Sequence, residues 1–184
     1  MRILIILLLL CTTAYAEQSI NLKLGVTDVL CEGVDAHPST ELTYEYRHDW
    51  YGIEAGVGGA TTILHDTQVE TEYVGKAMGR LNTLNYFITP KLYYNDFYCG
   101  AGIGYLDTFF SENYKVYPRS IQADVDDEIE YHALFGWQFV KDWFIEYKHR
   151  WCDLDIESNV GRGILEARSN LNSYTVMVGR KWRF

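Results

Sequence analysis

The amino-acid sequence predicts an all-β fold, an eight-stranded antiparallel up-and-down β-barrel that crosses a membrane, and three observations predict it. Much of the chain resolves into runs in which apolar and polar residues alternate one for one, the period of a strand with two unlike faces. The runs are joined by tight connections and long polar segments in turn, the asymmetry that transmembrane barrels show between their two ends. Aromatic residues collect at both ends of the apolar faces, where a bilayer has its interfaces, whereas a soluble sandwich would hold them in its core.

Residues 1–16, MRILIILLLLCTTAYA, read as a cleaved secretory signal peptide: one Arg, an apolar run from Ile3 to Leu10, and the small-x-small ending Ala14-Tyr15-Ala16. Residues 17–184 are then the barrel domain. The apolar run is too short to span a bilayer as a helix, and no later stretch approaches the ~18 to 20 apolar residues that such a helix needs. Cys11 follows Leu8 to Leu10, not the small residues that a lipidated Cys requires before it. The 184-residue chain has a net charge of −9 and no basic stripe, which argues against nucleic acid as a partner. Its 15 Tyr and 5 Trp suit strands and membrane interfaces.

Eight alternating runs follow. In the first, 19–28, Ile20, Leu22, Leu24 and Val26 alternate with Asn21, Lys23, Gly25 and Thr27. The second sets Leu42, Tyr44, Tyr46 and His48 against Glu41, Thr43, Glu45 and Arg47. In the third, Tyr51, Ile53, Ala55 and Val57 oppose Gly52, Glu54, Gly56 and Gly58. The fourth has Tyr86, Ile88, Pro90, Leu92 and Tyr94 on its apolar side; Pro90 cannot donate to a ladder, so a bulge or distortion is expected there. The fifth carries Phe97, Cys99, Ala101, Ile103 and Tyr105, with Gly100, Gly102 and Gly104 inward, where they make room for bulky neighbours. The sixth, 128–139, carries Ile129, Tyr131, Ala133, Phe135, Trp137 and Phe139, and the seventh Trp143, Ile145, Tyr147, His149 and Trp151. The eighth is the C-terminal stretch 173–184, SYTVMVGRKWRF, with Tyr174, Val176, Val178, Trp182 and Phe184 on one face. Arg180 interrupts that face near the end of the chain, at a depth where a lipid-facing Arg costs about 0 to 1 kcal/mol.

Tight turns fall at 48–50, 95–96 and 141–142, and the polar segments 29–39, 65–82, 111–126 and 153–170 are expected as loops. Aromatics beside the tight turns and those farther along are separated by about nine steps of about 3.3 Å, or about 30 Å of strand. A tilt near 40° reduces this to about 23 Å, close to the apolar band of about 25 Å that two aromatic girdles enclose.

The other face carries Lys23, Arg47, Lys91, Lys148, Arg150, Lys181 and Arg183 together with Glu41, Glu45, Glu54, Glu128, Glu130 and Glu146. Near-balance of charge suits paired side chains filling a narrow bore, since eight strands enclose little more than side chains. The expectation is an interior polar network of Glu45, Arg47, Glu54, Lys91, Glu128, Glu130, His132, Glu146, Lys148 and Arg150, with no wide diffusion pore. His132 and its neighbouring glutamates are read as part of that network and not as a metal site.

The aromatic ending, the segment CGAGIGY at 99–105 and the hairpin 130–150 resemble the small outer-membrane β-barrel superfamily, the porin family, which includes OmpW-like, OmpX-like and OmpA transmembrane-domain-like barrels. The resemblance implies the bacterial outer membrane, both termini in the periplasm, contact with outer-membrane lipids and lipopolysaccharide, and recognition of Trp182 and Phe184 by the insertion machinery. It implies no shared activity. A monomer is expected.

A weaker resemblance is to lipid A deacylases, eight-stranded barrels whose His-x-Ser-Asn motif on a late strand joins a downstream acid in a hydrolytic triad. It rests on His149 and on Ser158-Asn159, but Trp151 stands where the motif has Ser and Arg150 replaces the apolar spacer. A triad of His149, Ser158 and Glu157, or one using Cys152, requires the later residues to fold back toward His149. Otherwise His149 is an interfacial residue near lipid headgroups. Asp124, Asp126, Asp127, Asp153, Asp155 and Glu157 are hard oxygen donors that suit calcium or magnesium, but they are read here as a solvated acidic rim. No metal and no cofactor is expected. Cys31 follows the first strand and Cys152 caps the seventh, so closure of the barrel sets them one strand apart at one rim; a disulfide between them is one expectation, with Cys99 facing lipid as a thiol.

These readings converge on a small integral barrel without catalytic activity, acting through extracellular loops in adhesion or other interactions, or in envelope integrity. The alternatives are an outer-membrane lipid A acyl hydrolase using His149 and a narrow channel for ions or small apolar solutes.

Overall fold

The structure is a computed structural model and describes residues 16–30, 36–69, 75–110, 115–116, 123–125, 128–160, 163–170 and 172–184. Among these it has strands and no helix: β1 (Glu17–Val29), β2 (His37–His48), β3 (Tyr51–Val69), β4 (Gly75–Tyr94), β5 (Phe97–Phe110), β6 (Lys115–Val116), β7 (Ala123–Val125), β8 (Glu128–Val140), β9 (Trp143–Trp151), β10 (Asp153–Val160), β11 (Gly163–Asn170) and β12 (Ser173–Arg183). Eight of them close a barrel in the order β3-β2-β1-β12-β9-β8-β5-β4, and β3 pairs with β4 to complete the ring. Every pairing is antiparallel, including the seam where the first strand meets the last, from Ser19 opposite Arg183 to Val29 opposite Ser173.

The tight turns lie where β2 meets β3, β4 meets β5 and β8 meets β9. Asp49 and Asn95 hold positive φ values of 55° and 53°, a left-handed conformation that short Asp and Asn side chains tolerate in a turn. These turns, the start of β1 and the end of β12 define one rim of the barrel, the turn end; the opposite rim is the loop end.

Burial is inverted relative to a water-soluble protein. Outward residues such as Leu24 and Ile103 are 58% and 44% exposed, while Lys23, Glu54, Glu146 and Lys148 are 0% exposed inside. A continuous apolar exterior of this extent exceeds any patch that a soluble monomer carries, and a bilayer accommodates it.

One expectation changes, and the expected distortion at Pro90 is present in its local form. The long polar segments are shorter as loops than their composition suggests: β2 begins at His37, β3 and β4 stay paired out to Val69 opposite Gly75, and β10 pairs with β11 across most of 153–170, with β7 on its other edge. Ladder hydrogen bonds extend a hairpin whatever its side-chain pattern, so polarity alone overstates loop length. At Pro90 the ladder to β5 is interrupted between Ile88 opposite Ile103 and Lys91 opposite Gly100, but the register does not shift. The distortion is therefore local, and the register shifts fall elsewhere, between Leu64 and Thr67 and between Gln138 and Val140. Residues 1–15 of the expected leader lie outside the described residues, as does Cys31.

Candidate functional site

Because every second residue of eight tilted strands faces one axis, charged side chains far apart in sequence meet inside the barrel. The Lys23 ammonium donates to Glu54 Oε1 at 2.8 Å and to Glu146 Oε1 at 2.7 Å, and lies 3.4 Å from Glu41 Oε2. Lys91 donates to the other Glu54 oxygen at 2.8 Å and to Glu45 Oε2 at 3.3 Å. Lys148 reaches both oxygens of Glu41 at 2.6 and 2.7 Å, where Arg150 Nη2 also donates at 2.9 Å. Nearer the turn end, Lys181 donates to Glu45 Oε1 at 2.6 Å. Neutral donors add to the carboxylates, Tyr98 to Glu146 at 2.9 Å, Thr43 to Glu54 at 3.0 Å and Asn85 to Glu130 Oε1 at 3.3 Å, while Glu130 Oε2 has only the Arg150 guanidinium nearby among the described residues, at 3.9 Å.

Five cations, Lys23, Lys91, Lys148, Arg150 and Lys181, thus share the bore with five carboxylates, Glu41, Glu45, Glu54, Glu130 and Glu146. The set is neutral when all are ionised. Neutrality matters because an unpaired charge shut away from water costs several kcal/mol, and pairing with completed hydrogen bonds offsets that cost.

Apolar groups fill the remaining cross-section. Tyr93, Tyr98, Leu134 and Phe144 form one buried cluster. The Lys91 ammonium lies 4.6 Å from the Tyr98 ring centroid, and that of Lys148 lies 4.1 Å from Phe87. Gly136 and Gly179 allow this filling, because a Cβ at the first would strike the Tyr98 ring and at the second the Phe144 ring. At the turn end Arg183 donates to Glu17 Oε1 at 2.7 Å, Asp142 Oδ1 at 2.6 Å and the Lys141 carbonyl at 2.7 Å, tying the last strand to the first and to the β8–β9 turn.

The other residues singled out by the sequence are placed as follows. His132 is buried, with Nε2 2.7 Å from Thr89 Oγ1 and Nδ1 3.5 Å from Glu130. Arg47 is half-buried near the turn end, its guanidinium 4.1 Å above the Tyr93 ring and its Nε donating to the Asp49 carbonyl. Glu128, the first residue of β8 and so near the loop end, is half-buried and has no ion-pair partner among the described residues. Lys23, Glu41 and Lys181 matter more to the network than either; their alternation turns them inward, but only the closed barrel brings them to partners on distant strands.

His149 lies on the outer wall, half-buried, its ring centroid 4.3 Å from that of Trp151 and 4.5 Å from that of Tyr174. Glu157 and Ser158 occupy adjacent positions of β10, opposite Glu166 and Leu165 of β11; their side chains lie outside the described residues. Cys152 is buried and Cys99 exposed on the outer wall. Trp182 and Phe184 are exposed at the turn end, 43% and 73%.

These features define a small transmembrane β-barrel whose bore is occupied by its own side chains. No family model matches the sequence and no curated protein matches it. Solved structures do match: the outer membrane protein OprG from Pseudomonas aeruginosa aligns with a TM-score of 0.60 at 14% identity, covering 91% of this chain and 95% of that one. The outer membrane protein AlkL aligns with a TM-score of 0.55 at 11% identity, over 92% and 90% of the two chains. The Yersinia pestis outer membrane protein Ail aligns with a TM-score of 0.51 at 13% identity, over 91% and 99%. The chain therefore has the fold of small outer-membrane β-barrels.

Proposed function

We propose that this chain is a small integral outer-membrane protein without catalytic activity, which acts through its loop end in adhesion or other interactions, or in envelope integrity. In this reading both termini face the periplasm, the insertion machinery reads Trp182 and Phe184, and the monomeric barrel is surrounded by outer-membrane lipids and lipopolysaccharide. The observation that carries it is the neutral ion network across the bore, from Lys181 and Glu45 to Arg150 and Glu130. With the interior committed to its own ion pairs and the wall committed to lipid, the loop end is the surface left for partners. The outer-membrane fold of the similar structures supports the location.

Planar-bilayer recording tests this reading. The purified chain is expected to insert with little steady current, and ohmic conductance steps in every insertion event would overturn the closed bore in favour of a channel. Mass spectrometry of lipid A from cells with and without the protein addresses catalysis. Unchanged acylation is expected, and acyl chains lost with the intact protein but retained with His149→Ala would establish a hydrolase instead.

A further inference from the structure

Arg180 is the one cation on the apolar face of β12, and the interior network does not use it. It is exposed on the outer wall, opposite Leu22 of β1 and Trp143 of β9, with Val178 before it and Trp182 after it on the same face. Its guanidinium carbon lies 5.7 Å from the Trp143 ring centroid and 5.4 Å from that of Trp182. No carboxylate pairs with it among the described residues, although the wall's inner face pairs its cations closely. Two indole rings within reach of the guanidinium attract the cation without using its N–H donors in hydrogen bonds. Trp side chains mark the headgroup level of a bilayer, so Arg180 stands where the apolar belt ends.

We propose that Arg180, framed by Trp143 and Trp182, binds the phosphodiester of a phospholipid in the leaflet at the turn end. The inference rests on the outer wall facing lipid. A guanidinium offers parallel N–H donors that match two phosphate oxygens, and the charge-assisted bonds strengthen at the edge of a low-dielectric layer. The acyl chains lie along Val178, Val176 and Leu22, and the two indoles flank the headgroup. Charge complementarity selects the phosphate, and the adjoining apolar wall selects a lipid over free phosphate.

Native mass spectrometry of the full mature barrel in non-ionic detergent, titrated with phosphatidylglycerol, tests the site. Wild type and Lys141→Gln, which removes an exposed charge at the same rim, are expected to retain a phosphatidylglycerol adduct. Arg180→Gln is expected to need roughly tenfold more lipid, and Arg180→Lys an intermediate amount because an ammonium lacks the fork. Diacylglycerol with the same chains is expected to give no such adduct. Equal retention by Arg180→Gln, equal retention of diacylglycerol, or displacement of the lipid by inorganic phosphate would overturn the proposal. Both Arg180 variants leave the bore untouched and are expected to keep heat-modifiable gel mobility; loss of that mobility in the wild type would instead sink the barrel in lipid on which the site depends.

Discussion

Glu54 accepts from two ammonium groups and a hydroxyl that belong to three different strands: Lys23 of β1, Lys91 of β4 and Thr43 of β2. Replacing it with Gln keeps the shape and removes the charge, leaving two buried ammonium groups short of one carboxylate. Glu54→Gln is therefore expected to lower stability by about 3 to 5 kcal/mol, read as the urea midpoint of the barrel refolded in lipid vesicles. Adding Lys91→Met, which restores charge balance, is expected to recover part of that loss; a double variant no more stable than the single one would show that balance is not what Glu54 provides. At this scale the sequence tells which way a side chain points and little about what it touches. Lys23 meets Glu146 across 123 residues and Lys148 meets Glu41 across 107, separations that only closure of the ring converts into contact. Nor does alternation separate Arg47 and Glu128, at the ends of the bore, from Glu54 at its middle, because depth along the axis depends on tilt and stagger.

The strand is the unit that the sequence exposes best, since a period of two persists wherever one face meets lipid and the other a packed interior. The pattern fades past the membrane, and there strand pairing outlasts it in β3, β4, β10 and β11. Pro90 is a local exception within the strand: the chemistry of a missing N–H is legible, but whether the ladder slips or closes again depends on the neighbouring pairs. The last strand carries its own fastening. Arg183 joins Glu17 at the start of β1 and Asp142 in the β8–β9 turn, so three strand ends are tied by one guanidinium. Its partners are part-exposed and screened by water, so Arg183→Ala is expected to cost about 1 kcal/mol or less at equilibrium. Its larger effect is expected on closure of the seam between β1 and β12, seen as slower acquisition of the heat-modifiable form in vesicle refolding; unchanged refolding kinetics would remove that role.

Taken whole, the molecule places a neutral set of ion pairs inside a wall whose exterior is apolar, and both halves follow from one alternation of residues. Charge counting along the inward face already indicates a filled bore, whereas the neutrality of the closed set emerges only when the ring closes and the partners meet. The wall carries the most direct test, because Trp137, Trp143, Trp151 and Trp182 all point outward, each between 42% and 45% exposed. Tryptophan fluorescence of the Trp50→Phe barrel, which lacks the 64% exposed indole of the β2–β3 turn, reads that orientation when the protein is reconstituted in vesicles and compared between ordinary and brominated phospholipids and against aqueous iodide. Strong quenching by bromine on the acyl chains with little quenching by iodide is the predicted result, and indoles quenched by neither, as in a protein core, would contradict it.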